Sequence, residues 1–241
     1  MVSQEELKAH GLAHVLDLVS TAPQVVAEVW VESTQGKLSG LVKLLDKSAI
    51  SWREVSRKEL VARGGRDARM ALALLHPFQY LSLPDLVAQV PEQGCVIALD
   101  SVTDPGNFGS ILRSAAFFGV AGVILPERNS VAVTATVVRR SAGAAMQVPV
   151  ARVTNLVRTL EELKKDDFWV YGTEPRGSRP LAGESFSGRT CFVLGAEGKG
   201  MRPLVARSCD MQLGLSGSFE SLNVASFGAV LFHAWSMQKK P

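Results

Sequence analysis

The sequence predicts an α/β protein organised on a mostly parallel sheet, with a small α/β domain ahead of it. Short apolar runs bounded by glycine or polar residues, such as CVIAL at 95–99 and TCFVLG at 190–195, suit strands buried on both faces. Between such runs lie stretches with apolar residues at helical spacing and recognisable caps, such as TNLVRTLEELKK at 154–165. Their alternation from residue 94 onward is the pattern of β-α-β units, hence a mostly parallel sheet.

Taken in order, Leu7, Leu12, Val15, Leu16 and Val19 predict an amphipathic helix from Glu5 to about Val19. A strand follows at 25–31, a helix at 38–45 and a short strand at 49–55. These make the small domain, 1–76. Residues 77–93 carry three prolines in PFQYLSLPDLVAQVPEQ and read as a linker, with a turn of helix at 83–90. The remainder, 94–241, is one larger domain. Its first strand, 95–99, runs into the turn Asp104-Pro105-Gly106, and Asn107 is placed to cap a helix that Gly119 ends. Strands follow at 122–125 and 147–153, the latter at an edge or bent because it contains Pro149, with a helix at 131–145 between them. A helix capped by Thr154 reaches Lys165. Strands at 168–173, 190–195 and 211–215 precede a final helix after Asn223.

Composition limits the function classes. The 241 residues are 46% hydrophobic and 20% charged, enough for a sizeable core, and no apolar run approaches the ~18 to 20 residues of a membrane span. MVSQEELKAHGL lacks the basic and apolar regions of a secretory signal, and Cys95, Cys191 and Cys209 have no metal-ligand spacing. Reduced thiols in a cytoplasmic protein without a metal fit best. A net charge of +3 does not announce a polyanion partner, but Arg53, Arg57, Lys58, Arg63, Arg66 and Arg69 cluster, and Arg139 and Arg140 form a second group. The ordinary reading of such a run is a solvated helix face.

Two stretches invite a chemical reading. On the helix after Asn107, the apolar residues Ile111, Leu112, Ala115, Ala116 and Phe118 define one arc, which leaves Ser110, Arg113 and Phe117 on the opposite side. Arg113 therefore faces solvent, a partner or a substrate. The loop GAEGKG at 195–200 places glycines at a strand end, where backbone approaches a ligand closely. The final helix is apolar nearly all round and calls for cover by core or by another subunit.

DPGNFGSILRSAAFFG at 104–119, FVLGAEGKGM at 192–201 and ESLNVAS at 220–226 resemble, in order and spacing, the three signature motifs of the SPOUT superfamily. The branch is that of TrmH-like RNA ribose 2′-O-methyltransferases. The likeness spans 94–241, and GLAHVLDLV with EVWVEST more faintly resembles the RNA-binding domain that precedes it in many members. The resemblance implies a C-terminal trefoil knot, a homodimer, S-adenosylmethionine as cofactor and transfer RNA or ribosomal RNA as substrate. It assigns Arg113, Asn107, Glu197, Ser221 and Asn223 to the catalytic centre. It assigns Gly172, Thr173, Leu194, Gly195, Gly198, Gly200, Met201, Leu213, Leu215 and Leu222 to the cofactor.

Arginine is a poor literal base because its pKa exceeds ~12. Arg113 is expected to bind a substrate phosphate or the developing alkoxide, with Glu197 orienting it through a bidentate pair. Two positions depart from the motifs: Ala225 follows Asn223-Val224 where serine is usual, and Gly214 stands where proline is common. They motivate the alternative of an RNA-binding or ribosome-assembly protein that keeps the fold without turnover. A nucleotide-dependent oxidoreductase would need G-x-G-x-x-G after the first strand, which DPGNFG does not supply.

Overall fold

Contacts along the chain gather into two units, Met1–Gln79 with Val133–Met146, and Tyr80–Ala132 with Gln147–Pro241. The structure, a computed structural model, describes residues 6–33, 38–174, 179–215, 217–218 and 221–238.

The first unit begins with β1 (Lys8–His10), α1 (Leu12–Thr21), a 3₁₀ turn at Pro23–Val25 and β2 (Val26–Glu32). It continues with α2 (Ser39–Lys47), β3 (Trp52–Val55), α3 (Arg57–Gly64) and β4 (Ala71–Leu75). The strands form one sheet in the order β1-β4-β2-β3, β4 antiparallel to both neighbours and β2 parallel to β3. The single helix expected from Glu5 is instead a strand and a helix. Gly11, at φ +83°, turns the chain between them, and Glu5 itself lies outside the described residues. The central strand β4, ALALL, and α3 had no counterpart in the sequence reading. A capping box opens α3, with the Ser56 hydroxyl accepting from the Glu59 N–H and the Glu59 carboxylate accepting from the Ser56 N–H.

The second unit contains α4 (Leu83–Ala88), β5 (Cys95–Asp100), α5 (Pro105–Phe118) and β6 (Gly122–Pro126). After α6 (Ala135–Arg140), which belongs to the first unit, come β7 (Val150–Val153), α7 (Leu156–Lys165), β8 (Phe168–Thr173) and β9 (Arg179–Pro180). The chain ends through β10 (Arg189–Gly195), α8 (Pro203–Arg207), β11 (Met211–Gly214) and α9 (Val224–Ser236). The sheet runs β7-β6-β5-β10-β8-β11-β9, parallel at every pairing. Val96 and Ala98 of β5 pack on one face with Leu160 of α7 and Val205 of α8. Alternation puts Ile97 and Leu99 on the other face, where α5 and α9 pack together and Gly228 of α9 lies against Leu194. Helices on both faces explain why these strands are apolar throughout, each buried leucine or isoleucine contributing about 1.5–3 kcal/mol.

Several boundaries differ from the sequence reading. The segment 77–93 is not a plain linker, since from Tyr80 it belongs to the second unit and the Leu81 N–H donates to Val150 O at 2.8 Å. Thr154 does not cap α7. Asn155 does, accepting from the Arg158 N–H at 3.1 Å. The helix expected over 131–145 shrinks to α6 and a 3₁₀ turn at Ala144–Met146, because Ala142 and Gly143 take left-handed φ values of 51° and 84°. β7 does stand at the sheet edge, and Pro149 precedes it, where a missing N–H costs no ladder bond.

Candidate functional site

β5 and β10 are adjacent and parallel, with Asp100 opposite Gly195 at their C-terminal ends. The chain leaves β5 for α5 on one face of the sheet and leaves β10 for α8 on the other. Loops diverging in this way open a crevice at the carboxyl ends of the strands, which is where open parallel sheets bind ligands. The sheet topology thus points to a candidate site without reference to any motif.

Asp104, and not Asn107, caps α5. Pro105 fills the first helical position, and the Asp104 carboxylate accepts from the Asn107 N–H at 2.7 Å. With its backbone inside the helix, Asn107 has its side chain free for another task. The Asn107 Nδ2 donates to Glu197 Oε2 at 3.2 Å, and the Asn223 Nδ2 donates to Glu197 Oε1 at 3.2 Å and to Asn107 Oδ1 at 2.9 Å. One residue from each of the three stretches singled out in the sequence therefore closes a ring of amide and carboxylate. The Asn223 Oδ1 at the same time accepts from the Ala225 and Ser226 N–H groups and caps α9. The turn and the helix are fixed by one side chain.

Arg113 stands apart from this ring. It is exposed, as are Ser110 and Phe117 on the same side of α5, while Ile111, Leu112 and Ala115 are buried. No hydrogen bond or ion pair of Arg113 occurs among the described residues, so the expected Arg113–Glu197 pair is absent. Helix geometry explains why. Six residues advance about 9 Å along the axis and some 240° around it, so Asn107 and Arg113 cannot reach the same carboxylate.

Gly195 is small for a reason internal to the loop. A Cβ there would lie 2.4 Å from both Gly200 C and Met201 N, because Ala196 and Gly200 exchange backbone bonds of 3.0 and 2.8 Å and fold the loop onto the strand end. Gly198 and Gly200 take φ of 75° and 67°, which suit glycine. Leu194 and Leu213 are fully buried, Met201 and Thr173 nearly so, Leu215 is half-buried and Leu222 is 51% exposed. The Thr173 hydroxyl is committed to Val193 O at 2.8 Å. Gly172 lies opposite Gln212, whose carboxamide fills the space a Cβ would take. Ser221 is exposed beside Leu222, and Glu220, the first residue of the third motif, lies outside the described residues.

Sequence reasoning passed over Asp100. It is completely buried, and its two oxygens accept from the Arg202 backbone N–H and Nε, each at 2.7 Å. An aspartate closing an apolar run reads as a strand terminator, and its partner Arg202 lies 102 positions further along the chain. The cysteines behave as expected of structural thiols. Cys95 and Cys191 are buried, burial pushes the Cys191 thiol well up, and burial raises Cys209 to about 12. In the first unit, Arg53 and Arg63 pair with Glu28 and Glu6, and Arg139 with Asp17. Arg57, Lys58, Arg66 and Arg69 are exposed and make no ion pair among the described residues.

The chain is similar to known proteins in both sequence and fold. The profile of the SpoU rRNA methylase family matches residues 94–233. The 23S rRNA (guanosine-2′-O-)-methyltransferase RlmB of Xylella fastidiosa is 36% identical over 233 residues, 93% of this chain and 94% of the relative. RlmB of Escherichia coli is 35% identical over 234 residues, 93% of this chain and 96% of the relative. Among solved structures, the SpoU methyltransferase AviRb of Streptomyces viridochromogenes, in complex with AdoMet, shares the fold. Its TM-score is 0.71 at 21% identity, over 97% of this chain and 90% of that one. The family profile over more than half of the chain and the full-length relatives establish that this protein belongs to the SpoU rRNA methylase family.

Proposed function

We propose that this protein transfers a methyl group from S-adenosylmethionine to the ribose 2′-hydroxyl of a nucleotide in ribosomal RNA. The observation that carries the reading is the ring of Asn107, Glu197 and Asn223, which brings three separated motifs together at the switch point of the sheet. The relatives named for 23S rRNA guanosine 2′-O-methylation, aligned over nearly their whole length, supply the substrate class. The full-length likeness to relatives named as 23S rRNA 2′-O-methyltransferases speaks against the non-catalytic alternative. Ala225 is 8% exposed, so the residue departing from the motif is packed away from solvent.

The cofactor would lie against the carboxyl ends of β8, β10 and β11 and the loop at 196–201. The residues fit such a ligand: Gly198 and Gly200 have nothing within 4 Å of an added Cβ, and Leu222 offers exposed apolar surface next to the ring. Gly172, Thr173, Leu194, Gly195, Met201, Leu213 and Leu215 would complete the wall, the buried ones through backbone. When bound, S-adenosylmethionine supplies a methyl group already activated on a sulfonium. The protein then needs to hold the 2′-oxygen in line and stabilise its charge as the hydroxyl proton leaves to solvent. Glu197, engaged by two carboxamides, is a positioning residue, and exposed Ser221 lies two residues before Asn223. Arg113, permanently charged, binds phosphate or the developing alkoxide.

The displacement of Arg113 from the ring supports a homodimer in which it serves the neighbouring subunit's site. Exposed Phe117 on α5, Val230 on α9 and Met237 just after α9 supply apolar surface for that contact. The C-terminal segment forms the family's trefoil knot, the first unit grips RNA through its basic residues, and the protein works in the cytoplasm. Labelled methyl transfer to 23S rRNA and to tRNA from cells lacking the gene, followed by mapping of the methylated ribose, tests the proposal. Incorporation at one rRNA ribose is expected. No transfer to either RNA, with the cofactor bound, would favour the assembly-factor alternative.

A further inference from the structure

A carboxylate removed from water is costly unless every charge and lone pair is answered. Asp100 is 0% exposed, yet it lies outside the ring described above and takes no part in the proposed chemistry. Its answer comes chiefly from one residue. The Arg202 N–H reaches Oδ2 and its Nε reaches Oδ1, both at 2.7 Å, while the rest of that arginine side chain stays 53% exposed. The adjoining Ser101 takes a left-handed φ of 63° and its hydroxyl lies 3.4 Å from Oδ1, so the first step of the turn beyond β5 is constrained as well.

The position of this pair gives it leverage. Gly195 and Asp100 end neighbouring strands, and the chain then leaves through 196–201 and returns so that Arg202 lands on Asp100. The loop is thereby closed twice at its base, once by the Ala196–Gly200 backbone exchange and once by the buried ion pair. Its tip is tied by Glu197 to Asn107 and Asn223. A carboxylate–arginine pair replaceable by apolar packing gains its value from geometry rather than from net stability. We infer that Asp100 and Arg202 are positioning residues that set the loop at 196–201 in its cofactor-binding shape, acting through the loop without touching the ligand. This rests on the reading of that loop as the S-adenosylmethionine site.

Calorimetric binding of S-adenosylmethionine to the full-length protein tests it, alongside steady-state methyl transfer and thermal melting. Arg202→Ala keeps the backbone bond to Asp100 and lies at a half-exposed side chain, so the protein should fold. The expected result is cofactor affinity reduced tenfold or more, with the KM for S-adenosylmethionine raised in step and kcat at saturation within about twofold. Arg202→Lys should restore affinity to within threefold, because it returns a cation to Asp100. Lys164→Met, which breaks the ion pair to Asp210 elsewhere in the same unit, should change melting but not affinity. Unchanged affinity in both Arg202→Ala and Asp100→Asn would overturn the inference and leave the pair a stability element. Absence of binding by the unsubstituted protein would instead overturn the cofactor reading itself.

Discussion

Arg53 in the first unit and Arg113 in the second are both exposed arginines on well-ordered elements, and their surroundings are opposite. Arg53, on β3, pairs with Glu28 at 3.1 Å and lies 4.0 Å over the ring of Trp30, whose indole N–H also donates to Glu28. Its charge is answered within the unit. Arg113 has no counter-ion among the described residues, and the Glu197 carboxylate, out of its reach, is bonded to two neutral carboxamides. The first arginine is neutralised within its unit, whereas the second is open to an anion from outside. Two exposed arginines thus differ in chemistry through whether a carboxylate lies within reach.

The largest expected effect breaks the comparison at Arg113. Arg113→Ala should lower turnover by ~100-fold or more with melting and cofactor affinity little changed, the outcome expected of the proposed role in stabilising charge that appears only during reaction. Arg113→Lys should rescue poorly, because an ammonium cannot reproduce the planar fork. If the arginine serves the neighbouring subunit, mixing Arg113→Ala chains with Gly195→Val chains restores activity at one site of each mixed dimer. The valine acts by displacing the loop backbone, which already lies 2.4 Å from the Cβ position. Full activity of Arg113→Ala alone would falsify the assignment.

Asn223→Ala should rank next. It removes the cap of α9 and both bonds to the ring, costing about 1 kcal/mol in urea or thermal unfolding. Turnover should fall ~10-fold, as the positioned Glu197 loses one of its two donors. A loss of stability with unchanged turnover would show that Asn223 only caps the helix.

Alkaline titration probes groups of the second unit outside the arginine comparison. Burial, with help from the Glu184 carboxylate, pushes the Tyr171 hydroxyl from 10.0 up to about 12, and burial pushes Cys209 from 9.0 up to about 12. Raised folded-state values mean that the folded protein holds these protons longer than the unfolded chain. Their contribution to stability is complete below about pH 9 and is lost as pH rises towards 12. Tyr171→Phe should flatten the upper part of that decline in melting curves. A melting temperature level from pH 8 to 11 would contradict this.

The smallest effect is expected at Arg53. Its half-exposed ion pair is worth about 0.2–1 kcal/mol, so Arg53→Ala should cost no more than that and less in high salt. A larger loss of RNA affinity than of stability would place this arginine among the substrate contacts and erase its difference from Arg113.

How much of this was legible in the sequence depended on burial. The strands of the parallel sheet announce themselves because both faces are covered, so CVIAL and TCFVLG contain no polar interruption. The first unit was harder to read. β1 has only three residues, α3 carries RKELVARG with a single buried leucine, and ALALL is equally compatible with helix and strand. At the site, the motifs identified Asn107, Glu197 and Asn223 individually, but the bonds joining them span up to 116 positions and exist only in the folded sheet. The expected Glu197–Arg113 pair failed because charge complementarity was weighed without the turn angle of α5. Asp100 escaped notice because nothing local distinguishes a buried aspartate from a strand-ending one.

The excursion of residues 133–146 into the first unit bears on the order in which the chain folds during synthesis. Arg139 of α6 pairs with Asp17 of α1 at 2.8 Å, and Gly143 packs against Ala22 and Gln24. These partners emerge from the ribosome long before α6 does, and residues 80–132 of the other unit are made in between. The amino-terminal unit must wait, incomplete, while β5, α5 and β6 appear, and it closes only once Met146 has been added. A nascent chain arrested before residue 133 should therefore be more open to protease around α1 than one arrested after 146. Expressing 1–79 alone would yield that waiting intermediate and not a finished domain.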